Sequence, residues 1–183
     1  MRSGVDADTR AAATWEGLGV IFILGIGAVL HSLFDWSGNS PLIAPFAAVN
    51  ESVWEHLKIA FWPALIWAML QRGPLNRRIN NFALAKATSI LLMLLLIVAL
   101  YYGYTGILGE HVLFLDITIF VVAVVAGQYV SYRLLVGDER SPALNTVAPL
   151  IIIVLAILFV VFTFSPPQSV LFQDIATGQF GIP

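Results

Sequence analysis

Three segments of this 183-residue chain run at least 18 residues without a formal charge, and no other property limits the fold as tightly. A helix rises ~1.5 Å per residue, so ~20 apolar residues suffice to cross a hydrocarbon core of ~30 Å. Only 11% of the residues are charged and 59% are hydrophobic, with a mean hydropathy of +0.89. A water-soluble enzyme is excluded on these grounds. What remains is an all-α polytopic membrane bundle, in which each helix satisfies its own backbone polar groups. The formal net charge is −2 and no basic run is longer than Arg77-Arg78, which argues against nucleic acid as a partner. There is no cysteine, so thiolate metal sites, redox dithiols and disulfides are all unavailable.

The hydrophobic pattern predicts five transmembrane helices within one domain, 1–164, placed over 15–34, 52–71, 82–104, 111–135 and 144–164. The first is too long for a secretory signal, and the residues after Phe34 offer no small-x-small cleavage site. Residues 35–50 carry Gly38, Pro41 and Pro45 between apolar residues and read as a short interfacial connection. Arg72-Gly73-Pro74 is expected to stop the second helix, and Ser165-Pro166-Pro167 the fifth. The remaining tail, 165–183, is too short to cross again. Its Leu171, Phe172 and Phe180 predict packing over one mouth of the bundle, with Asp174 facing in.

Sidedness follows from the basic residues, because short cytoplasmic loops retain Lys and Arg. Arg2, Arg10, Arg72, Arg77, Arg78, Lys86, Arg133 and Arg140 fall on one side of the five-span arrangement, and Lys58 alone on the other. The N-terminus is therefore expected inside and the tail outside. This places His31, His56 and His111, together with Asp35, Glu51, Glu55, Glu110, Asp116 and Asp174, at the outer ends of the spans. An acidic, histidine-bearing outer vestibule is the central expectation.

Within it, His31 and Asp35 stand four apart on one helix face. Either the carboxylate orients the imidazole, or Asp35 only ends the helix and His31 reaches for the headgroups. Ser52 and Glu55 have capping-box spacing, and Glu55 and Lys58, three apart, can pair. Those structural roles leave Glu51 and His56 over, pointing in different directions if both were helical. Asp116, between Leu115 and Ile117, must be paired, protonated or cation-bound at that depth, as an interhelical clamp or as a functional group. Five residues separate it from His111, the wrong spacing for chelation from one helix face. Two or three imidazoles with one or two carboxylates form a zinc-type ligand set with a position left for water. His31, His56, Asp116 and His111 are the candidate metal ligands, and Glu51, Glu55 and Lys58 the candidate catalytic residues. No organic cofactor is implied.

Several strings resemble a known family. Phe34-Asp-Trp-Ser-Gly, Val49-Asn-Glu-Ser-Val-Trp-Glu-His-Leu-Lys, Leu115-Asp-Ile, Gly127-Gln with Ser131-Tyr, Pro166-Pro and Thr177-Gly-Gln-Phe-Gly-Ile together resemble the DUF6512 family of bacterial and archaeal membrane proteins. The resemblance covers most of the chain. It implies a multi-pass architecture in a bacterial or archaeal cytoplasmic membrane, singles out Asn50, Glu51, Glu55, His56, Lys58, Asp116 and Gln128, and brings no activity. Ala48 stands where the pattern leads one to expect proline, and His111 falls outside its matched part.

Three functions fit these residues. The first is a metal-dependent hydrolase acting on a lipid or other amphiphile, with Glu51 or Glu55 as general base and Lys58 or Asp116 stabilising charge. The second is a transporter or channel relaying protons or cations through Asp116 and the histidines; five spans without a repeat are few for a carrier, and a homo-oligomer would compensate. The third is a non-catalytic accessory subunit with an acidic binding face.

Overall fold

The computed structural model describes residues 2–75 and 81–182, with side chains from position 7 onward. Arg77-Arg78 and the side chains of Arg2 and Asp6 lie outside the described residues. Five helices follow one another: α1 (Arg2–Trp36), α2 (Val53–Leu75), α3 (Phe82–Leu108), α4 (Leu113–Leu135) and α5 (Pro142–Phe164). Among the described residues there is no strand beyond a single bridge between Gln173 and Phe180 in the tail.

Four stretches are long and apolar enough to cross a membrane: Ala7–Trp36, Phe82–Leu108, Leu113–Leu135 and Pro142–Phe164. Helix α2 falls short of that standard because Glu55, Lys58 and Arg72 interrupt it. Its position explains how it tolerates them. Fourteen of its 23 residues are buried, against four of 23 in α5, so α2 is more enclosed than α3, α4 or α5. Phe61 lies at its centre, fully buried with Ile23, Met93, Val124 and Phe159 from the other four helices.

Several boundaries differ from those expected. Helix α1 begins about four turns earlier, where Ala11-Ala12-Ala13 favours helix, and Ala12 packs against Leu75, Ala85 and Leu135. Helix α2 continues past Gly73-Pro74, because Leu75 is buried in that same cluster and holds the last turn in place. Helix α3 runs on to Leu108 and ends on Gly109, whose φ of 78° sends its N–H back to the Thr105 carbonyl at 2.8 Å.

Close approach of α1 to α2 and α4 depends on Gly27. Pro63 has no N–H and leaves the Ile59 carbonyl without its usual helical partner. A Cβ on Gly27 would stand 2.8 Å from that oxygen and 2.8 Å from the Phe120 ring.

The 37–50 connection folds back on the bundle. Ala48 N–H bonds the Leu30 carbonyl at 3.2 Å, the Trp62 indole donates to Pro45 at 2.9 Å, and Phe34, Ala44, Ala47 and Val49 form a small core. The tail is held too. The Trp54 amide, a donor with no partner inside the first turn of α2, donates to the Leu171 carbonyl at 2.9 Å, and Asn50 donates to Gly181 at 2.8 Å. Phe172 packs on Trp54, with ring centroids 4.8 Å apart. Asp174 is buried, and its carboxylate accepts from Ala176 N–H at 3.0 Å and Thr177 Oγ1 at 2.6 Å, closing a turn within the tail.

Candidate metal centre

The C-terminal ends of α1 and α3, the N-terminal ends of α2 and α4 and the tail meet around one cavity of about 510 Å³. Its walls are mostly aliphatic. Its polar lining comes from His31, Glu51, His56, Tyr101, His111 and Asp116, and no Lys or Arg among the described residues lines it.

Three of these groups converge. His31 Nε2 and His56 Nε2 are 3.2 Å apart, Glu51 Oε2 lies 3.4 Å from His56 Nε2, and 3.8 Å from His31 Nε2. The local chain explains the meeting. Helix α2 begins only at Val53, so Glu51 precedes it and the helical spacing that separates Glu51 from His56 does not apply; the turn folds the carboxylate back over the imidazole. Ser52 shapes that turn, its N–H donating to Asn50 Oδ1 at 2.9 Å and its hydroxyl accepting from Glu55 N–H at 3.3 Å. The Ser52 carbonyl receives His56 Nδ1 at 2.9 Å. A carbonyl accepts only, so Nδ1 carries the proton and the Nε2 lone pair of neutral His56 faces the cavity.

This geometry fits a small divalent ion. With metal–nitrogen bonds of ~2.0 to 2.1 Å, adjacent donors of a tetrahedral site lie about 3.3 Å apart. The two imidazoles meet that spacing at 3.2 Å, and half-exposed Glu51 stands 3.4 and 3.8 Å from them. A fourth ligand would come from the cavity that these residues line. The carbonyl behind His56 is the kind of outer partner that fixes a ligand's tautomer.

A second polar group lines the same cavity. Helix α4 begins at Leu113, so His111 lies outside it, and its Nδ1 reaches Asp116 Oδ2 at 3.4 Å. The other carboxylate oxygen accepts a short hydrogen bond from Tyr104, whose own oxygen accepts from Val112 N–H at 3.0 Å. Asp116 is thus paired, as its depth requires, and it orients an imidazole whose Nε2 is left over. Asp116 and His111 form a separate pair and do not join the three-donor cluster. Tyr104 was not singled out in the sequence, where the tyrosines read as an interfacial belt; three tyrosines within four positions at a helix end, opposite an acidic residue, was the available signal.

Glu55 and Lys58 lie elsewhere. Both are buried, and they form an ion pair one turn apart. Lys58 also donates to the Ala44 carbonyl at 2.7 Å and Thr163 Oγ1 at 2.9 Å, which uses all three of its protons. Glu55 takes the Val49 N–H at 3.1 Å, so its side chain does not close the reciprocal half of a capping box. Neither residue lines the cavity, and both have bonds that fix α2 to α5 and to the connection. Asp35, although helical, forms no bond to His31, whose ring meets His56 and Glu51 instead.

The opposite end of the bundle holds a network that the sequence reading missed. Glu16 of α1 and Lys86 of α3 form a buried ion pair, supported by Gln71 at 3.2 Å and Ser131 at 2.9 Å. On each helix an apolar layer separates this network from the cavity, represented by Ile23, Phe61, Met93 and Val124.

The described residues thus define a helical bundle of membrane type with a histidine–carboxylate cavity at one end. The family model for DUF6512, a family of unknown function, matches residues 6–182, and the chain belongs to that family. No curated protein and no solved structure gives a match.

Proposed function

We propose that this protein is a multi-pass membrane hydrolase whose cavity opens on the outer side of the membrane. In this reading one zinc-class ion sits on His31, Glu51 and His56, with α2 crossing alongside the four more apolar helices. The observation that carries it is the trio of donor atoms at 3.2, 3.4 and 3.8 Å on a cavity wall, with the His56 tautomer set for coordination. A bound divalent ion lowers the pKa of its water toward ~7, supplying a nucleophile at neutral pH. His111, held through Nδ1 by Asp116 and lining the same cavity, would accept a proton on Nε2.

Glu51 becomes a ligand in this reading, and Glu55 and Lys58 have no catalytic part, since their bonds are satisfied away from the cavity. Surface chemistry is favoured over a relay across the membrane by the apolar layer between the cavity and the Glu16–Lys86 network. The basic residues of the opposite end, including exposed Arg10, Arg72, Arg133 and Arg140, support an inside N-terminus.

Metal analysis of the purified protein tests this. About one equivalent of zinc, lost in His56→Ala while the protein remains folded, is expected for a single site. Wild-type protein that takes up no divalent ion from a zinc-containing buffer overturns the reading.

A further inference from the structure

The cavity is elongated along the helix axes. Leu113, Ile117 and Val121 recur every four residues on α4, forming one stripe about 12 Å long, and all three line the cavity. They are also 70%, 55% and 37% exposed, so the wall that they form is open sideways toward the surface that faces lipid. Leu24 and Ala28 of α1 line the same cavity. The result is an apolar trough between α1 and α4, with His31 at its polar end.

Charge narrows what can lie in it. Its acidic side chains are Glu51 and Asp116, and its only possible cationic side chains are imidazoles. The one nearby lysine, Lys58, is fully buried on Glu55. One divalent ion is therefore balanced by two carboxylates, leaving no surplus positive charge. Sites that act on phosphate esters gather Arg, Lys or a second metal around the anionic oxygens. This site has none. A carbonyl compound makes a smaller demand, since a single oxyanion develops on addition and the one ion can neutralise it.

We infer that the substrate is a single-chain acyl ester or acyl amide with an uncharged head group, its acyl chain lying along the α1–α4 trough and its carbonyl at the His31–Glu51–His56 end. This inference rests on the proposed hydrolase reading. The step is balanced by one water. A water activated at the His31–Glu51–His56 end would give a proton to His111 Nε2 as its oxygen adds to the carbonyl carbon. The bond from that carbon to the head-group oxygen or nitrogen then breaks, and His111 returns the proton to the leaving atom. A fatty acid and a neutral alcohol or an amine are released, with no change in oxidation state.

The test uses full-length protein with zinc in maltoside micelles, and measures fatty acid released from a monoacylglycerol, an N-acyl amino alcohol, phosphatidylglycerol and lysophosphatidic acid. Release from at least one of the first two is expected to exceed release from both anionic lipids by about tenfold or more, because unpaired like charge is costly inside such a site. Ile117→Trp, which fills the trough, should abolish release while zinc stoichiometry stays the same. Leu113→Lys at the mouth should narrow the preference against anionic lipids. Zinc bound with equal or faster cleavage of the anionic lipids overturns the charge inference and leaves the hydrolase standing. Zinc bound with no cleavage of any probe overturns the substrate class. Failure to bind zinc overturns the reading beneath both.

Discussion

Two polar clusters meet at the start of α2 and have opposite characters. Glu55 and Lys58 are sealed: oppositely charged, buried, and bonded to the Val49 N–H, the Ala44 carbonyl and Thr163. Glu51 and His56 are open, partly exposed, and arranged with His31 so that two imidazole Nε2 atoms and a carboxylate oxygen face one another across 3.2 to 3.8 Å. The difference separates polar groups whose bonds hold the fold from polar groups whose donor atoms line an open cavity. In a low-dielectric interior, ionised groups persist when each has a full set of partners, whereas groups prepared for an ion converge lone pairs without donors between them. Glu16 and Lys86 form a second buried ion pair at the other end of the bundle, less completely bonded, since Glu16 Oε2 has no hydrogen-bond partner.

The strongest way to break the contrast is to unpair a sealed group. Lys58→Met leaves Glu55 buried without its counter-ion and should cost ~3 to 5 kcal/mol, read as a large fall in thermal midpoint in detergent. Adding Glu55→Gln to Lys58→Met should recover part of that loss, and no recovery would mean that the pair acts only through packing.

Open groups should behave in reverse. Glu51→Gln is expected to lower zinc affinity by at least the ~10 to 100-fold that loss of a supporting partner costs elsewhere, with little change in the thermal midpoint of the metal-free protein. Zinc affinity should also fall in acid, because imidazole binds an ion only when unprotonated. Titration calorimetry across pH reads this slope, and removing His31 should make it shallower by about one proton.

Gly27→Ala probes the floor beneath the open cluster. The added methyl would meet a backbone carbonyl at 2.8 Å, which cannot rotate away, so ~1 to 3 kcal/mol of destabilisation is expected. A neutral outcome would show that α1 shifts freely over Ile59. The smallest effect belongs to Asp35→Asn, which should leave zinc affinity unchanged, since that exposed carboxylate does not touch His31.

The five helices were legible because long uncharged runs admit few other structures, and the strong basic bias grouped the three histidines at one end. Details within the site were less so. Glu51 and His56 were assigned divergent directions on the premise that both were helical; the first helical residue is Val53, and the preceding turn depends on Asn50 and Ser52. Glu55 and Lys58 looked chemical because of their company, yet their partners come from Ala44 and Thr163, distant in the chain. The Glu16–Lys86 pair joins residues 70 apart, a separation that no local pattern reports. His111 reaches Asp116 only because α4 starts two residues after it.

Ile175 belongs to the cavity wall, and it lies on the segment after α5, secured by Phe172 and two main-chain carbonyls. One side of the chamber thus hangs on main-chain hydrogen bonds and a ring contact to Trp54 and Asn50, where the other sides are braced by helix against helix.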